Sequence, residues 1–467
     1  MQATERWQQA LEELAPLARH HAGPDMDAAY ERLISFYPKA KLDSYRPGTY
    51  SGYWAVPPGW VVQKAKLFGP EGEVIADYAN HPLRLFTYSP PFSGKVTLAE
   101  LQHHLMSDPE RPNAIPFHFR NQYRHWEPEW GFCLTQEERD GLVDGDYYVE
   151  IECDFVKSDL RMAIQSHRGE HDDCFLLIGH FDHPGMAGDG LIGCLAGHEA
   201  ISRMEGRATR LTYRMLSTVE IVGSVFYANN RAHEDAVREG LFSALSGVDA
   251  PLKYAKTAKE RAQIDRVMAH VLSHIPEPAQ IVGFRQAIGN DETAFDVHGI
   301  NVPCGSLMRW PYEHYHTHFD SADKSDVQKM ETFIGALLDV IEIFEKNSTL
   351  TGNFDGLPQL GHPDIDLYLS PGAISGIPER QTDVVKNLVE RLPDQRSRDA
   401  AARASGNLNT LMTLIPPLAD GKHTTLDVAE RSGVPFALVD AYTDMWKEKG
   451  LLSKEWIHPF KEKETQQ

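Results

Sequence analysis

The feature that most constrains this chain is the run Cys174–Ile178, CFLLI, which opens into GHFDHPGMAGD. An unbroken apolar run leaves no polar face, so it predicts a strand buried on both sides, and such strands belong to parallel sheets covered by helices. Polar residues crowd in as soon as the run ends: His180, Asp182, His183 and Asp189. In open α/β sheets, sites lie outside the carboxyl ends of the strands. The segment therefore predicts a central strand with a candidate site at its end.

Helical and strand patterns alternate after it. Leu191, Leu195, His198 and Ile201 predict a helix, Leu211–Leu216 a strand and Ile264–Ile275 another helix. The strongest helix is 326–347, where Val327, Met330, Phe333, Ile334, Leu337, Leu338, Ile341 and Phe344 keep one apolar face, and Ser325 with Gln328 reads as a capping box. The expected fold is α/β with a mostly parallel sheet.

Other segments differ in texture. Residues 1–45 read as two helices, with Trp7, Leu11, Leu14 and Leu17 at helical spacing and a second run from Met26 to Tyr37. The stretch YRPGTYSGYWAVPPGW breaks that style. From 61 to 155, short strands such as Leu83–Tyr88 and Tyr147–Ile151, with one helix near 98–106, suggest a small β-rich domain. Residues 350–385 are rich in Gly, Pro and Asp and read as a linker or excursion. Helices expected over 405–455 have the order of a winged-helix module. The predicted division is 1–50 (N-terminal helices packing on the main domain), 51–155 (inserted β-rich domain), 156–390 (α/β domain) and 400–467 (winged-helix-like domain).

Composition narrows the function. The 467 residues carry a formal net charge of −21, which argues against a chain built to grip nucleic acid or an anionic membrane. The five cysteines, 133, 153, 174, 194 and 304, are scattered without CxxC, so reduced core thiols are expected. Neither an apolar leader at the N-terminus nor an 18-residue apolar run is present, so a cytoplasmic protein is expected. The 22 histidines matter only where they converge.

Two segments concentrate them. Neutral imidazole and carboxylate are what a zinc-like ion takes, so His180, Asp182, His183 and Asp189 form a candidate site; the plain alternative is a polar loop capping the next helix. If the strand runs on through Asp182, His180 and His183 point to opposite faces and cannot easily serve one ion. The second segment is HYHTHFD, 314–320, whose alternating histidines would share one face of an extended stretch or lie in a surface loop. Glu220, in TVEIVGS, and Asp291 with Glu292, in GNDETAF, are acids placed near expected strand ends.

The ordered set RPNAIPFHFRNQYRHWEPEWGFCL with GDYYVEIEC, HFDHPGMAGD, TVEIVGS, NDETAF, VPCGSLMR and YHTHFDSAD resembles the bacterial aminopeptidase-like family associated with polysaccharide biosynthesis. The resemblance covers about residues 1–455. It implies a zinc-aminopeptidase-type α/β domain, an inserted small β domain and a C-terminal winged helix. It also implies His183, Asp189 and His316 as metal ligands and Asp291 as a fourth. The His-x-Asp motif of wider zinc aminopeptidases falls on His180, an alternative to the favoured His183. Glu220 becomes the general base or an added ligand. One zinc is expected rather than two, with another divalent metal as the alternative.

The implied chemistry is metal-assisted hydrolysis of an amide in a peptide or small molecule, with Glu220 shuttling the proton. Arg309 would stabilise an oxyanion, hold a substrate carboxylate, or be an ordinary surface or salt-bridged arginine. Asp182 or Glu292 would either receive a free α-ammonium or serve structural hydrogen bonding. Residues Arg120, Arg124, Trp126 and Trp130 either line a substrate groove or build the β domain. A homo-oligomer is expected, with no nucleic-acid or membrane partner. The competing reading is a non-catalytic binding or assembly protein on a hydrolase fold.

Overall fold

A computed structural model describes residues 3–369 and 379–461. Parts of the expected 350–385 linker, of the 156–390 domain and of the 400–467 domain fall outside these residues. Contacts divide the chain into two compact units, one of residues 1–208, 212–260 and 280–334, the other of 209–211, 261–279 and 335–467.

The first unit is built on an eight-stranded sheet. Its strands are β1 (Lys41–Tyr45), β2 (Leu160–His167), β3 (Cys174–His180), β4 (Thr212–Thr218), β5 (Val237–Ala244), β6 (Leu252–Ala255), β7 (Ala279–Val282) and β8 (Cys304–Arg309). The spatial order is β1-β2-β4-β3-β5-β8-β6-β7. The centre, β4-β3-β5-β8, is parallel, while β1, β2 and β6 pair antiparallel at the flanks. This is the α/β fold that the apolar run predicts: all seven residues of β3 are buried. The chain leaves β3 for β4 on one side and returns to β5 on the other, so the sheet has its switch point at the end of β3.

Helices α1 (Ala3–Leu14), α2 (Pro24–Phe36), α3 (Leu191–Ser202) and α4 (Val222–Asn230) belong to this unit. Helix α3 packs on β3, β4 and β5 and is buried on nearly every side. Its closeness depends on Gly193, where a Cβ would stand 2.1 Å from the Ser243 carbonyl oxygen. The long helix is Val327–Lys346. Its cap is Asp326, whose carboxylate accepts from Lys329 N at 2.9 Å, rather than Ser325, whose hydroxyl donates to the Ala322 carbonyl.

Within the same unit, Gly59–Phe68, Val74–Asp77, Phe92–Thr97 and Asp146–Val156 form a four-stranded antiparallel sheet. Leu83–Tyr88 is not one of its strands: Pro82–Arg84 is a 3-10 turn, and Leu85 makes only an isolated bridge to Phe132. The helix expected over 98–106 stops at Leu101, after which a 3-10 turn leads into a short strand.

The second unit holds helices Gln263–Leu272, Leu408–Leu418, Thr425–Ser432 and Phe436–Glu448 beside a three-stranded antiparallel sheet. Ser348–Gly352 is the central strand, between Asp420–Thr424 and Leu452–Trp456. In Phe436–Glu448, Asp440, Tyr442 and Trp446 are buried and serve packing. All five cysteines are buried and free. Among the described residues, no helix is long and apolar enough to cross a membrane.

Candidate metal centre

Strand β3 ends at His180, so the alternation that would separate His180 from His183 does not continue. His183 instead takes a left-handed φ of 84°, with Gly185 at 68° and Gly190 at 83°. The turn brings the two imidazoles together, ring centroids 4.7 Å apart. A buried guanidinium fixes this backbone: Arg19 donates to the carbonyls of Phe181 (2.9 Å), His183 (3.0 Å) and Met186 (2.6 Å), and to Leu14 and Ala15 of its own segment. Burial lowers this guanidinium to about 10, still cationic at neutral pH.

Asp189 is held from behind. The Asp320 carboxylate accepts from Gly188 N (2.7 Å) and Asp189 N (2.8 Å), and Tyr312 donates to it at 3.2 Å. Burial, the largest effect, pushes the Asp320 carboxyl up to about 7. Asp189 then faces three imidazoles. Its Oδ1 lies 3.2 Å from His180 Nε2, and its Oδ2 lies 2.9 Å from His316 Nε2 and 3.5 Å from His183 Nε2. Burial alone would raise the Asp189 carboxyl, but the charge of His183, the hydrogen bond of His180 and the charge of His316 hold it well below the usual carboxylate range.

His316 also has a left-handed φ, 57°. Its turn is clamped by residues 115–117: Phe117 N donates to the His316 carbonyl (3.0 Å), and His318 N donates to the Ile115 carbonyl (3.1 Å). Tyr315 stacks on the His316 ring at 3.9 Å. His314 packs against Tyr312 and Phe319, and His318 accepts from Ile115 N through Nδ1. The segment is a series of turns, not an extended stretch, so one histidine of the three enters the site.

Among the described residues, two sets of donors lie close enough to hold an ion, each set within 4.8 Å: His183, Asp189 and His316; and His180, His183 and Glu220. Both nitrogens of His183, Oδ2 of Asp189 and Nε2 of His316 are buried without a hydrogen-bond partner, because their close approaches lack hydrogen-bond geometry. Buried polar atoms are ordinarily satisfied. Imidazole nitrogens and a carboxylate oxygen converging unsatisfied are the donor set of a zinc-like divalent cation, and the residues fit such a group.

The remaining expected residues play other parts. Asp291 joins neither donor set; it pairs with His180 Nδ1 (2.9 Å) and accepts from Ile221 N (2.9 Å) and the Ser224 hydroxyl (2.6 Å). It thus completes a chain Asp291–His180–Asp189, in which burial would lower His180 but the two carboxylates raise it well above the usual imidazole value. Asp182 is not open to an α-ammonium: it is buried, with Oδ1 accepting from Glu220 N (2.8 Å) and Oδ2 3.2 Å from His21 Nε2. Glu292 is buried too, accepts from Asn290 N at 2.9 Å, and is raised by burial to about 7. Arg309 is fully buried and donates to the carbonyls of Ser246, Ala250 and Lys329, so its donors are taken by the fold rather than offered to an oxyanion.

Glu220 follows β4 and stands at the edge of the cluster, Oε2 3.9 Å from His183 Nε2, with its side chain 14% exposed. Tyr123, at the end of the short helix Arg120–Tyr123, donates its hydroxyl to Glu220. Sequence reasoning missed Arg19, Tyr123, His21 and Ser224. Asp320 stood in the HYHTHFD motif but was not singled out.

A protein of Clostridium acetobutylicum, provisionally named as a polysaccharide biosynthesis protein with an aminopeptidase-like domain, is 28% identical over 439 residues, covering 93% of each chain. A crystal structure from Clostridium acetobutylicum, provisionally titled a peptidase, superposes with a TM-score of 0.78 at 26% identity, over 97% of this chain and 96% of that one. A zinc aminopeptidase of Bacillus subtilis shares the fold, with a TM-score of 0.54 at 10% identity, over 73% of this chain and 94% of its own. The fold is thus of the aminopeptidase type. Residues 8–347 match the family described as a domain of unknown function, DUF4910, and the chain belongs to that family.

Proposed function

We propose that this protein is a metal-dependent hydrolase of amide bonds in a peptide or an amide-containing small molecule. The observation that carries the reading is the set His183, Asp189 and His316, whose buried, unsatisfied donor atoms converge beside Glu220. These three residues would hold a single zinc-type ion. When bound, such an ion polarises a scissile carbonyl and makes water acidic at near-neutral pH.

The chain's own residues supply the rest. Asp291 and His180 orient Asp189 from one side, and Asp320 fixes its backbone from the other. Glu220 takes a proton from the attacking water and returns it to the leaving amine, the work of a carboxylate within reach of both. Its backbone is pinned by Asp182, so the carboxylate is delivered from a fixed point.

The test uses purified full-length protein. Metal content is measured first, and zinc-loaded protein is assayed on a panel of aminoacyl p-nitroanilides and N-acyl amides. Turnover that needs zinc and falls about 10²–10⁴-fold in Glu220→Gln supports the reading. Protein that binds no divalent metal and turns over no amide overturns it in favour of a binding protein.

A further inference from the structure

The small β-rich insertion sends one segment, residues 115–123, across the site. Its first part ties into the His316 turn through the hydrogen bonds of Ile115 and Phe117, with a bridge between Pro116 and Thr317. Its last part, the short turn of helix Arg120–Tyr123, ends with the Tyr123 hydroxyl on Glu220 Oε2. One stretch of an inserted domain therefore braces both a candidate ligand and the candidate base.

We propose that Tyr123 is a positioning residue for Glu220: its hydroxyl holds Oε2 and so fixes the carboxylate in one orientation beside His183. This rests on the hydrolase reading of the site. Three features support it. The Tyr123 ring is fixed edge-on by His21 at 5.5 Å and by Phe119 at 6.4 Å. The loop behind it is closed by Asn121, which donates to the Glu129 carbonyl (2.7 Å) and accepts from Glu129 N (3.2 Å). A carboxylate oxygen can only accept, so in this contact the Tyr123 hydroxyl is the donor and Glu220 Oε2 the acceptor.

The backbone of Glu220 is constrained to match. Its N–H goes to Asp182, and the next residue, Ile221, has a left-handed φ of 56° with its N–H on Asp291. With main chain and Oε2 both held, the carboxylate has little freedom left. A base held in one orientation avoids the misplacement that costs rate.

The experiment is a double-mutant cycle on full-length zinc-loaded protein, with Tyr123→Phe, Glu220→Gln and the pair. It is read by urea midpoint and by kinetics on whichever p-nitroanilide the unaltered protein turns over fastest. Tyr123→Phe is expected to lower kcat about 10- to 100-fold, to leave KM within about twofold, and to add no loss in the Glu220→Gln background. The urea midpoints are expected to be non-additive, since the hydroxyl and the carboxylate touch. Equal losses in both backgrounds, or additive midpoints with turnover intact, overturn the positioning role and leave the hydrolase reading standing. Non-additive midpoints in a protein that hydrolyses no amide overturn the hydrolase reading, and the role of Tyr123 in catalysis falls with it.

Discussion

The two histidine-bearing segments make an instructive pair. Segment 180–189 has two histidines and both enter the cluster; segment 314–320 has three and one enters. The difference lies in the backbone, not in histidine density. In the first, a buried strand stops at His180 and a left-handed His183 folds the chain back, so residues three apart meet. In the second, successive turns close from Tyr315 N to Tyr312, Thr317 N to His314 and Asp320 N to Thr317, and only His316, itself left-handed, is aimed at Asp189. Left-handed φ is uncommon in residues other than glycine and persists where surroundings hold it. In each segment a neighbour does the holding: Arg19 for the first, the Ile115–Phe117 strip for the second.

The comparison breaks most severely at Arg19. Arg19→Met fills similar space but leaves the carbonyls of Leu14, Ala15, Phe181, His183 and Met186 without this donor in a buried place. The expected loss is about 4 kcal/mol of stability or more, read from the urea midpoint. Arg19→Lys, with one nitrogen for several carbonyls, should recover only part of it. A midpoint shifted by less than about 1 kcal/mol would mean that the first turn holds itself.

Metal affinity grades the histidines next. Full-length protein titrated with zinc against a competing chelator should lose more than about 100-fold in affinity on His316→Ala or His183→Ala, and about 10- to 100-fold on His180→Ala. His314→Ala and His318→Ala should stay within about threefold, since they lie outside both donor sets. A larger loss at His180 than at His183 would exchange their roles. Any large loss at His314 would refute the turn geometry that separates the two segments.

Some of this was legible in the sequence because burial writes it there. CFLLI declares a strand hidden on both faces, and β4 and α3 follow from their apolar patterns. The edge strand β1, KLDSY, has no apolar alternation and is mostly exposed, so nothing in it signals pairing. Leu83–Tyr88 alternates because a 3-10 turn buries Leu83 and an isolated bridge to Phe132 buries Leu85, not because it is a strand. The acids and histidines of the cluster were legible as an ordered motif set. Their division of labour was not, because it depends on which carboxylate reaches which imidazole. Arg309 stands at a strand end as a catalytic residue would, yet the carbonyls around it take its donors. Arg19 and Tyr123 reach partners 162 and 97 residues away with no periodic trace, and only tertiary structure brings them in.

A third kind of histidine sharpens the comparison with the smallest effect. His198, on α3 just beyond the first segment, is fully buried, with Nδ1 2.7 Å from Gln165 Oε1 and Nε2 2.9 Å from Ser217 Oγ. It has ordinary hydrogen-bond partners on both sides, unlike His183, and it belongs to neither donor set. Burial pushes it down to about 3. An unfolded histidine titrates near 6.5, so on acidification the unfolded chain takes up a proton that the folded chain refuses. The favourable contribution of the neutral ring is complete above about pH 6.5 and is lost as the pH falls from there toward 3. One such group gives a slope of about 1.4 kcal/mol per pH unit, so roughly 2 kcal/mol disappears between pH 6.5 and 5. Urea midpoints of metal-free His198→Gln should fall less steeply over that window than those of the unaltered chain, by close to one proton. Equal slopes would mean that His198 is protonated inside the fold, and that burial does not keep this helix histidine neutral.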